Sequence, residues 1–356
     1  MPTVSSSDGP VAVTGAAGYI GCHTVRSFMK RGYTVRACVR DPNAPDKVDH
    51  LLAMNNENHP GSVEVVRGNI MENGSYDEPF SDCCAILHVG TPMLYGGKIT
   101  PRECYDGMVE GIKNVLGSAT KAGTVKRFVY TSSFAAIGHP APSGYVFTEA
   151  DWGDAQRDRD PSWNPDGIDN NGGVAYAWAK VNTERFINDF TATNSDYDAV
   201  SICPCVVLGP LMSTAHEGLG SWQWALARML EGKPCPRGWN ALWNIVDVRD
   251  VAEAHALVCE SENVESGSRY QLTATDRSGE LNVDELQDHL SKQFPDLTVG
   301  GRPPEMAAFL ERRSIHDGPR AYSTKAINDL GLETQPIEDT LRTTGETMLE
   351  LGLCNP

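Results

Sequence analysis

Short runs of apolar and β-branched residues alternate with helix-length amphipathic segments over roughly the first two hundred residues. Strands are predicted at "VAVTG" from Val11, "TVRACV" from Thr34, "VEVVRG" from Val63, "AILHVG" from Ala85, "RFVYTSS" from Arg127 and "AVSICP" from Ala199. Helices are predicted near Tyr19–Arg31, Asp46–Met54, Arg102–Ala122 and Val174–Thr193. Such alternation implies an α/β protein built on a doubly wound parallel sheet. After Pro204 the rhythm breaks into longer loops, tryptophan-containing helices and short strands. We therefore expect a first domain over 11–205, rejoined by the chain near 240–262, and a smaller irregular lobe over 206–356. Residues 1–10 read as a disordered tail, and "EADWGDAQRDRDPSWNPDGIDNNGG" from Glu149 as a long acidic loop, either a lid or a surface excursion.

Composition narrows the function without naming it. At 356 residues, 40% hydrophobic and 22% charged, the chain has the make-up of a soluble globular protein. It lacks an apolar run of the ~18 residues a membrane span needs, and its start has no apolar signal core, so a cytoplasmic protein is expected. A formal charge of −17 argues against nucleic acid or an anionic membrane as partner. The ten cysteines include no Cys-x-x-Cys pair and the nine histidines no His-Glu-x-x-His. Reduced core cysteines and no metal are the expectation.

The chemistry gathers at strand ends. In "VTGAAGYIG", Gly15 permits a tight turn out of the first strand, and Gly18 lets a diphosphate approach bare amides at a helix N-terminus. Gly21 lets that helix lie close to the sheet. At the end of the second strand, "ACVRDP", an acidic residue would hold the ribose hydroxyls of NAD, whereas an arginine pairs with the 2′-phosphate of NADP. Arg40 stands there, with Lys47 beyond it and Asp41 adjacent. In "VAYAWAKVNTERF", Tyr176 and Lys180 are four apart and share a helix face. A phenol is a poor acid at neutral pH unless a cation stabilises its phenolate, and Lys180 supplies one. In "YTSSFAA", Ser132 and Ser133 end the fifth strand, where a hydroxyl can hold a substrate carbonyl.

As a set, "VTGAAGYIG", "RGYTVRACVRDP", "HVGTPM", "YTSS", "YAWAK", "CPCVVLGP", "VDVRDVAEAHALV" and "DLGLETQPIEDTL" resemble the extended short-chain dehydrogenase/reductases. The nearest group is that of dihydroflavonol 4-reductase, cinnamoyl-CoA reductase and microbial aldehyde and ketone reductases. The resemblance implies a Rossmann-type fold, NADP(H) as cofactor and a catalytic trio of Ser133, Tyr176 and Lys180. It implies diphosphate contacts at Gly15, Gly18, Tyr19 and Ile20, 2′-phosphate contacts at Arg40 and Lys47, and adenine contacts at Asn69 and Ile70. Gly90, Thr91 and Pro92 would pass beside the ribose linking to nicotinamide, and Pro204, Val206 and Val207 would support its amide. In the adenine turn Asn69-Ile70 replaces the usual Asp-Leu, where an amide can still meet the adenine amine; two further departures bear on substrate: Gly138 stands near where flavonoid reductases hold a ring hydroxyl, and "NNGGVAYAWAK" lacks the cysteine stretch of cinnamoyl-CoA reductases.

The second lobe would line the pocket. Trp222, Trp224, Trp239 and Trp243 are either its aromatic wall or core filling; Trp222 and Trp224, two apart on a helix, are not expected to face the core together. Met212 is a further substrate candidate, whereas His216 reads as part of a solvated loop. These readings favour an NADPH-dependent reductase of an aryl or apolar aldehyde or ketone, with Tyr176 as general acid, acting as monomer or homodimer. The alternatives are an NAD-retaining sugar-nucleotide epimerase or dehydratase and a non-catalytic dinucleotide-binding protein.

Overall fold

The computed structural model describes residues 3–92, 99–138, 141, 144–154, 165–194, 196–216, 218, 221–236, 243–303 and 320–355. Twelve strands lie within them: β1 (Val11–Thr14), β2 (Thr34–Val39), β3 (Ser62–Arg67), β4 (Ala85–His88), β5 (Arg127–Thr131), β6 (Val146–Phe147), β7 (Asp198–Pro204), β8 (Val206–Leu208), β9 (Trp243–Asp247), β10 (Arg269–Leu272), β11 (Glu280–Leu281) and β12 (Arg320–Ala321). The helices are α1 (Tyr19–Lys30), α2 (Pro45–Leu52), α3 (Asp77–Phe80), α4 (Pro101–Ala122), α5 (Gly172–Asn194), α6 (Trp222–Leu230), α7 (Val248–Glu260), α8 (Val283–Gln293), α9 (Thr324–Leu330) and α10 (Ile337–Glu350).

Seven strands form one parallel sheet in the order β10-β7-β5-β4-β1-β2-β3. All four residues of β1, β4 and β10 and all five of β5 are buried, as a sheet covered on both faces requires. One apolar layer joins the sheet to α1, α2 and α7 through Val25, Phe28, Leu51, Val251 and Val258. The opposite layer joins it to α3, α4 and α5 through Phe80, Ile112, Leu116 and Ile187. The six predicted strands are all present, and β10 adds a seventh beside β7.

The second lobe has a three-stranded sheet, β11-β9-β8, packed with α6, α8 and α10 around Trp243, Leu226, Leu286 and Leu341. A two-stranded ribbon, β12-β6, pairs chain segments far apart in sequence. The expectation of a disordered start is corrected for residues 3–10. Val4 is 2% exposed, its amide donates to the Cys259 carbonyl at 3.2 Å, and its carbonyl accepts from the Tyr33 hydroxyl at 3.1 Å. Asp8 pairs with Lys126 at 2.6 Å. One apolar side chain with long-range partners holds a segment that its polar composition leaves looking loose. Among the described residues no helix is long and apolar enough to cross a membrane.

Candidate active site

In this strand order the connections diverge between β1 and β4, and a crevice opens there at the carboxyl edge of the sheet. Gly15 follows β1 with φ +65°, and a Cβ on it would meet the Gly90 Cα beyond β4 at 2.4 Å. The two glycines thus close the floor of the crevice. A Cβ on Gly21 would meet the Gly15 carbonyl oxygen at 2.2 Å, so α1 lies against the turn. Gly18 caps α1 with no side-chain hydrogen bond and is exposed, which leaves the first amides of α1 bare. This cradle fits a diphosphate. Tyr19 and Ile20 can offer it backbone amides, but the Tyr19 side chain turns away: its hydroxyl donates to the Gly209 carbonyl at 2.8 Å and its ring packs between the two lobes.

Arg40, one residue past β2, is exposed and forms no ion pair or hydrogen bond among the described residues. Its neighbour Asp41 is occupied, accepting the Asn43 amide at 2.9 Å in a local turn. An uncommitted guanidinium beside a committed carboxylate suits a phosphate rather than ribose hydroxyls. Lys47, on α2, is exposed and lies 3.3 Å from Asp46. Asn69 spends its side chain on its own turn, accepting from the Met71 amide at 3.2 Å and donating to Glu72 at 2.8 Å. Ile70 and Pro92 dock on α4 where glycines make room: a Cβ on Gly111 would meet Ile70 at 2.5 Å, and one on Gly107 would meet Pro92 at 3.1 Å.

Asn171 accepts the amides of Gly173 and Val174 at 3.0 and 3.2 Å and so starts α5 four to five residues ahead of Tyr176. Tyr176 is half-buried against Met108, Tyr105 and Ala179. One turn on, Lys180 is 2% exposed, with Nζ 5.7 Å from the Tyr176 ring centroid and 4.9 Å from that of Tyr130. Nζ donates to the Thr131 carbonyl at 2.8 Å and to Thr91 Oγ1 at 3.0 Å. An ammonium has three N–H bonds, and the third has no acceptor among the described residues. Burial pushes the ammonium down to about 7. A buried carboxylate that acts on it offsets this only in part. Glu184, a further turn along, is fully buried and accepts from Arg269 Nε at 2.5 Å and from Ser132 Oγ at 2.7 Å.

The two serines therefore differ. Ser132 is buried and committed to Glu184, while Ser133 is half-exposed with Oγ accepting the Ala135 amide at 3.2 Å. That bond uses a lone pair and leaves the Ser133 hydroxyl proton free to donate. Beside it Phe134, Tyr145 and Phe147 form an aromatic cluster with edge-on contacts of 5.3 and 5.0 Å. Sequence reading missed this cluster and Glu184, although Glu184 continues the Tyr176–Lys180 spacing by another four residues. Pro204 ends β7, and Val206 and Val207 belong to β8, buried beside that same edge.

Residues 11–273 match the family described as NAD dependent epimerase/dehydratase. The chain belongs to this family. Membership makes a nicotinamide dinucleotide its cofactor, and the resemblance to the extended short-chain dehydrogenase/reductases is borne out across the chain. Cinnamoyl-CoA reductase CAD2 of Medicago truncatula is 30% identical, the match covering 97% of either chain. Dihydroflavonol 4-reductase of Hordeum vulgare is 28% identical over 98% of this chain and 92% of its own. Among solved structures, Gre2 of Candida albicans in complex with NADPH superposes with a TM-score of 0.79 at 25% identity, over 96% of this chain and 99% of the other.

Within this family frame the second-lobe expectations change. Trp222 and Trp224 both pack on the apolar cluster of the second lobe; Trp222 meets Trp243 edge-on at 4.8 Å, and Trp224 lies under Arg228 at 5.3 Å. Both lie half-buried against that cluster because α6 touches β8 on one side and α10 on another. Met212 packs on the sheet layer. His216 is corrected from a solvated position to one 6% exposed. Trp239 and the middle of the acidic loop, 155–164, lie outside the described residues. The flanks of that loop are anchored, Asp154 to Arg185 at 2.5 Å and Asp169 to Arg102 at 2.7 Å.

Proposed function

We propose that the protein is an NADPH-dependent reductase of an aldehyde or ketone, aryl or otherwise apolar, with Tyr176 as general acid. The observation that carries this reading is the free donor of Ser133 at the carboxyl edge that also holds the buried Lys180 ammonium. The bound dinucleotide supplies the hydride that goes to the carbonyl carbon. Ser133 donates its hydroxyl proton in a hydrogen bond to the carbonyl oxygen and so orients and polarises the bond. Tyr176 transfers its phenolic proton to that oxygen, which becomes the alcohol. Lys180 keeps one N–H for the ribose or the phenolate, and its field favours phenolate over phenol. Because Arg269 and Ser132 occupy Glu184, that field is offset only in part from below.

Arg40 supports NADPH over NADH, in keeping with the NADPH bound by Gre2 of Candida albicans. The cluster of Phe134, Tyr145 and Phe147 suits an apolar carbonyl compound. A Cβ at Gly138 would meet the Phe147 ring at 2.0 Å, so no larger side chain fits there to hold a flavonoid ring hydroxyl. The partner is accordingly a small carbonyl or alcohol, with neither nucleic acid nor membrane involved.

The test is to follow NADPH absorbance with aryl aldehydes, aliphatic aldehydes, β-keto esters and hydroxycinnamoyl thioesters, with NADH in parallel. Consumption of NADPH with an aldehyde or ketone is expected. A purified protein that carries tightly held NAD and oxidises neither nucleotide would favour epimerase or dehydratase chemistry instead.

A further inference from the structure

Three side chains that take no part in the proposed reaction meet behind the glycine turn. They are Cys22 on α1, His50 on α2 and His216 in the segment after β8, and one potential ligand atom from each lies within 4.8 Å of the other two. Cys22 Sγ and His216 Nε2 are 3.8 Å apart, and the His50 and His216 rings meet edge-on with centroids at 5.0 Å. Among the described residues His50 Nε2 is buried with no hydrogen-bond partner, although the residue as a whole is half-exposed. A buried polar nitrogen without a partner is costly, and His50 carries this one in a cluster with a thiol and a second imidazole, the surroundings of a ligand.

We propose that Cys22, His50 and His216 form a binding site for a zinc-class divalent cation that ties α1, α2 and the segment after β8 together. One sulfur and two imidazole nitrogens are a donor set for a tetrahedral borderline-soft ion, whose Zn–S and Zn–N bonds of about 2.3 and 2.0 Å put ligand atoms roughly 3.5 Å apart. The separation of 3.8 Å between Cys22 and His216 needs little adjustment to meet that spacing. Water would fill the fourth position, reaching the site past half-exposed His50.

Binding converts the Cys22 thiol to a thiolate, and its proton leaves to solvent as the metal–sulfur bond forms. The thiol gives up its contact with the Tyr19 carbonyl at 3.2 Å. His216 now accepts the Met212 amide at Nδ1, a long bond of 3.3 Å, and its Nε2 lies 3.3 Å from the Ala17 carbonyl. Ligation through Nε2 moves the ring proton to Nδ1 and breaks the Met212 bond, so the segment after β8 shifts slightly when the ion binds. The charged groups acting on the three ligands are Arg26 from α1 and Lys47 and Asp49 from α2, with neutral His23 alongside. The thiolate balances half of the ion's charge within the site.

The experiment uses the full chain, stripped with a chelator and titrated with Co2+ and Zn2+ in the absence of nucleotide. One equivalent of Co2+ should bind, with the visible bands of a four-coordinate ion and a near-ultraviolet thiolate-to-metal band. Zn2+ should displace it and raise the thermal midpoint in proportion to the logarithm of free metal. Cys22→Ser should abolish the thiolate band, and His50→Gln and His216→Gln should each weaken binding at least tenfold. If Cys22→Ser or His216→Gln fails to fold, His50→Gln at its half-exposed position carries the test, with circular dichroism in chelator matching the parent protein. No stoichiometric binding at micromolar free metal overturns the proposal. So does binding that survives in the Cys22→Ser/His50→Gln double variant, which would locate the ion elsewhere.

Discussion

Strand β5 begins and ends at a buried cation, and the two ends are treated differently. At its start Arg127 is wholly buried and forked onto Asp198 at 2.7 and 2.8 Å, and it also donates to the Val258 and Ser261 carbonyls. At its end the Thr131 carbonyl holds the Lys180 ammonium, whose other acceptor is a threonine hydroxyl. One charge is neutralised by a rigid bidentate partner; the other has neutral acceptors alone while its neighbouring carboxylate is engaged by Arg269. A fully paired charge holds the amino edge of the sheet together. An unneutralised one costs stability at the carboxyl edge and keeps a positive field beside the Tyr176 ring.

The sharpest break in this contrast is at the reactive end. Tyr176→Phe should lower turnover by roughly 10²–10⁴-fold with dinucleotide binding unchanged, read from NADPH consumption and from fluorescence titration. A variant that keeps its rate would remove the phenol from the mechanism. At the structural end, Arg127→Met should cost about 3–5 kcal/mol in urea unfolding because Asp198 is left buried without a counter-charge. Adding Asp198→Leu should recover much of that loss, and failure to do so would mean that the carbonyl contacts dominate.

Arg40→Ala should raise KM for NADPH about ten- to a hundredfold and leave NADH unaffected, the size expected for one charge-assisted contact to phosphate. Equal loss for both nucleotides would separate Arg40 from the 2′-phosphate. The most gradual effect is in pH dependence. Lys180 titrates near 7 in the folded chain against 10.5 ordinarily, so between those values the unfolded chain binds more protons and stability rises with pH. The slope from this group is at most about 1.4 kcal/mol per pH unit, with the penalty fully present below the window and relieved above it. Lys180→Met should flatten that rise in unfolding midpoints taken across the range, whereas Arg127→Met should leave it intact.

Local pattern made most of the sheet legible. The runs that became β1, β2, β4, β5 and β7 are rich in buried apolar and β-branched residues, and edge strand β3 still groups Val63, Val65 and Val66; such runs announce themselves without tertiary context. β10 escaped because "RYQL" is four residues long and half polar; Arg269 and Gln271 are buried there only because Glu184 and the Phe147 and Tyr322 carbonyls meet them. The same reason hid the anchoring of Val4, whose partners Tyr33 and Cys259 lie far along the chain. At the site, Gly15, Gly18 and the Tyr176–Lys180 pair were legible because their spacing follows from turn and helix geometry. Which of two adjacent serines is free, and which of Arg40 and Asp41 is committed, depended on hydrogen bonds from elsewhere.

By itself, then, the sequence determined the order of strands and helices, the glycine turn ahead of α1 and the helix face that carries Tyr176 and Lys180, because each rests on contacts within about a dozen residues. Only the tertiary structure decided that Lys180 has no ion-pair partner among the described residues, that both tryptophans of α6 pack half-buried against one apolar cluster, and that Cys22, His50 and His216 meet. Those outcomes arise where the chain folds back on itself, and the spacing of residues along a chain carries no measure of distances across it.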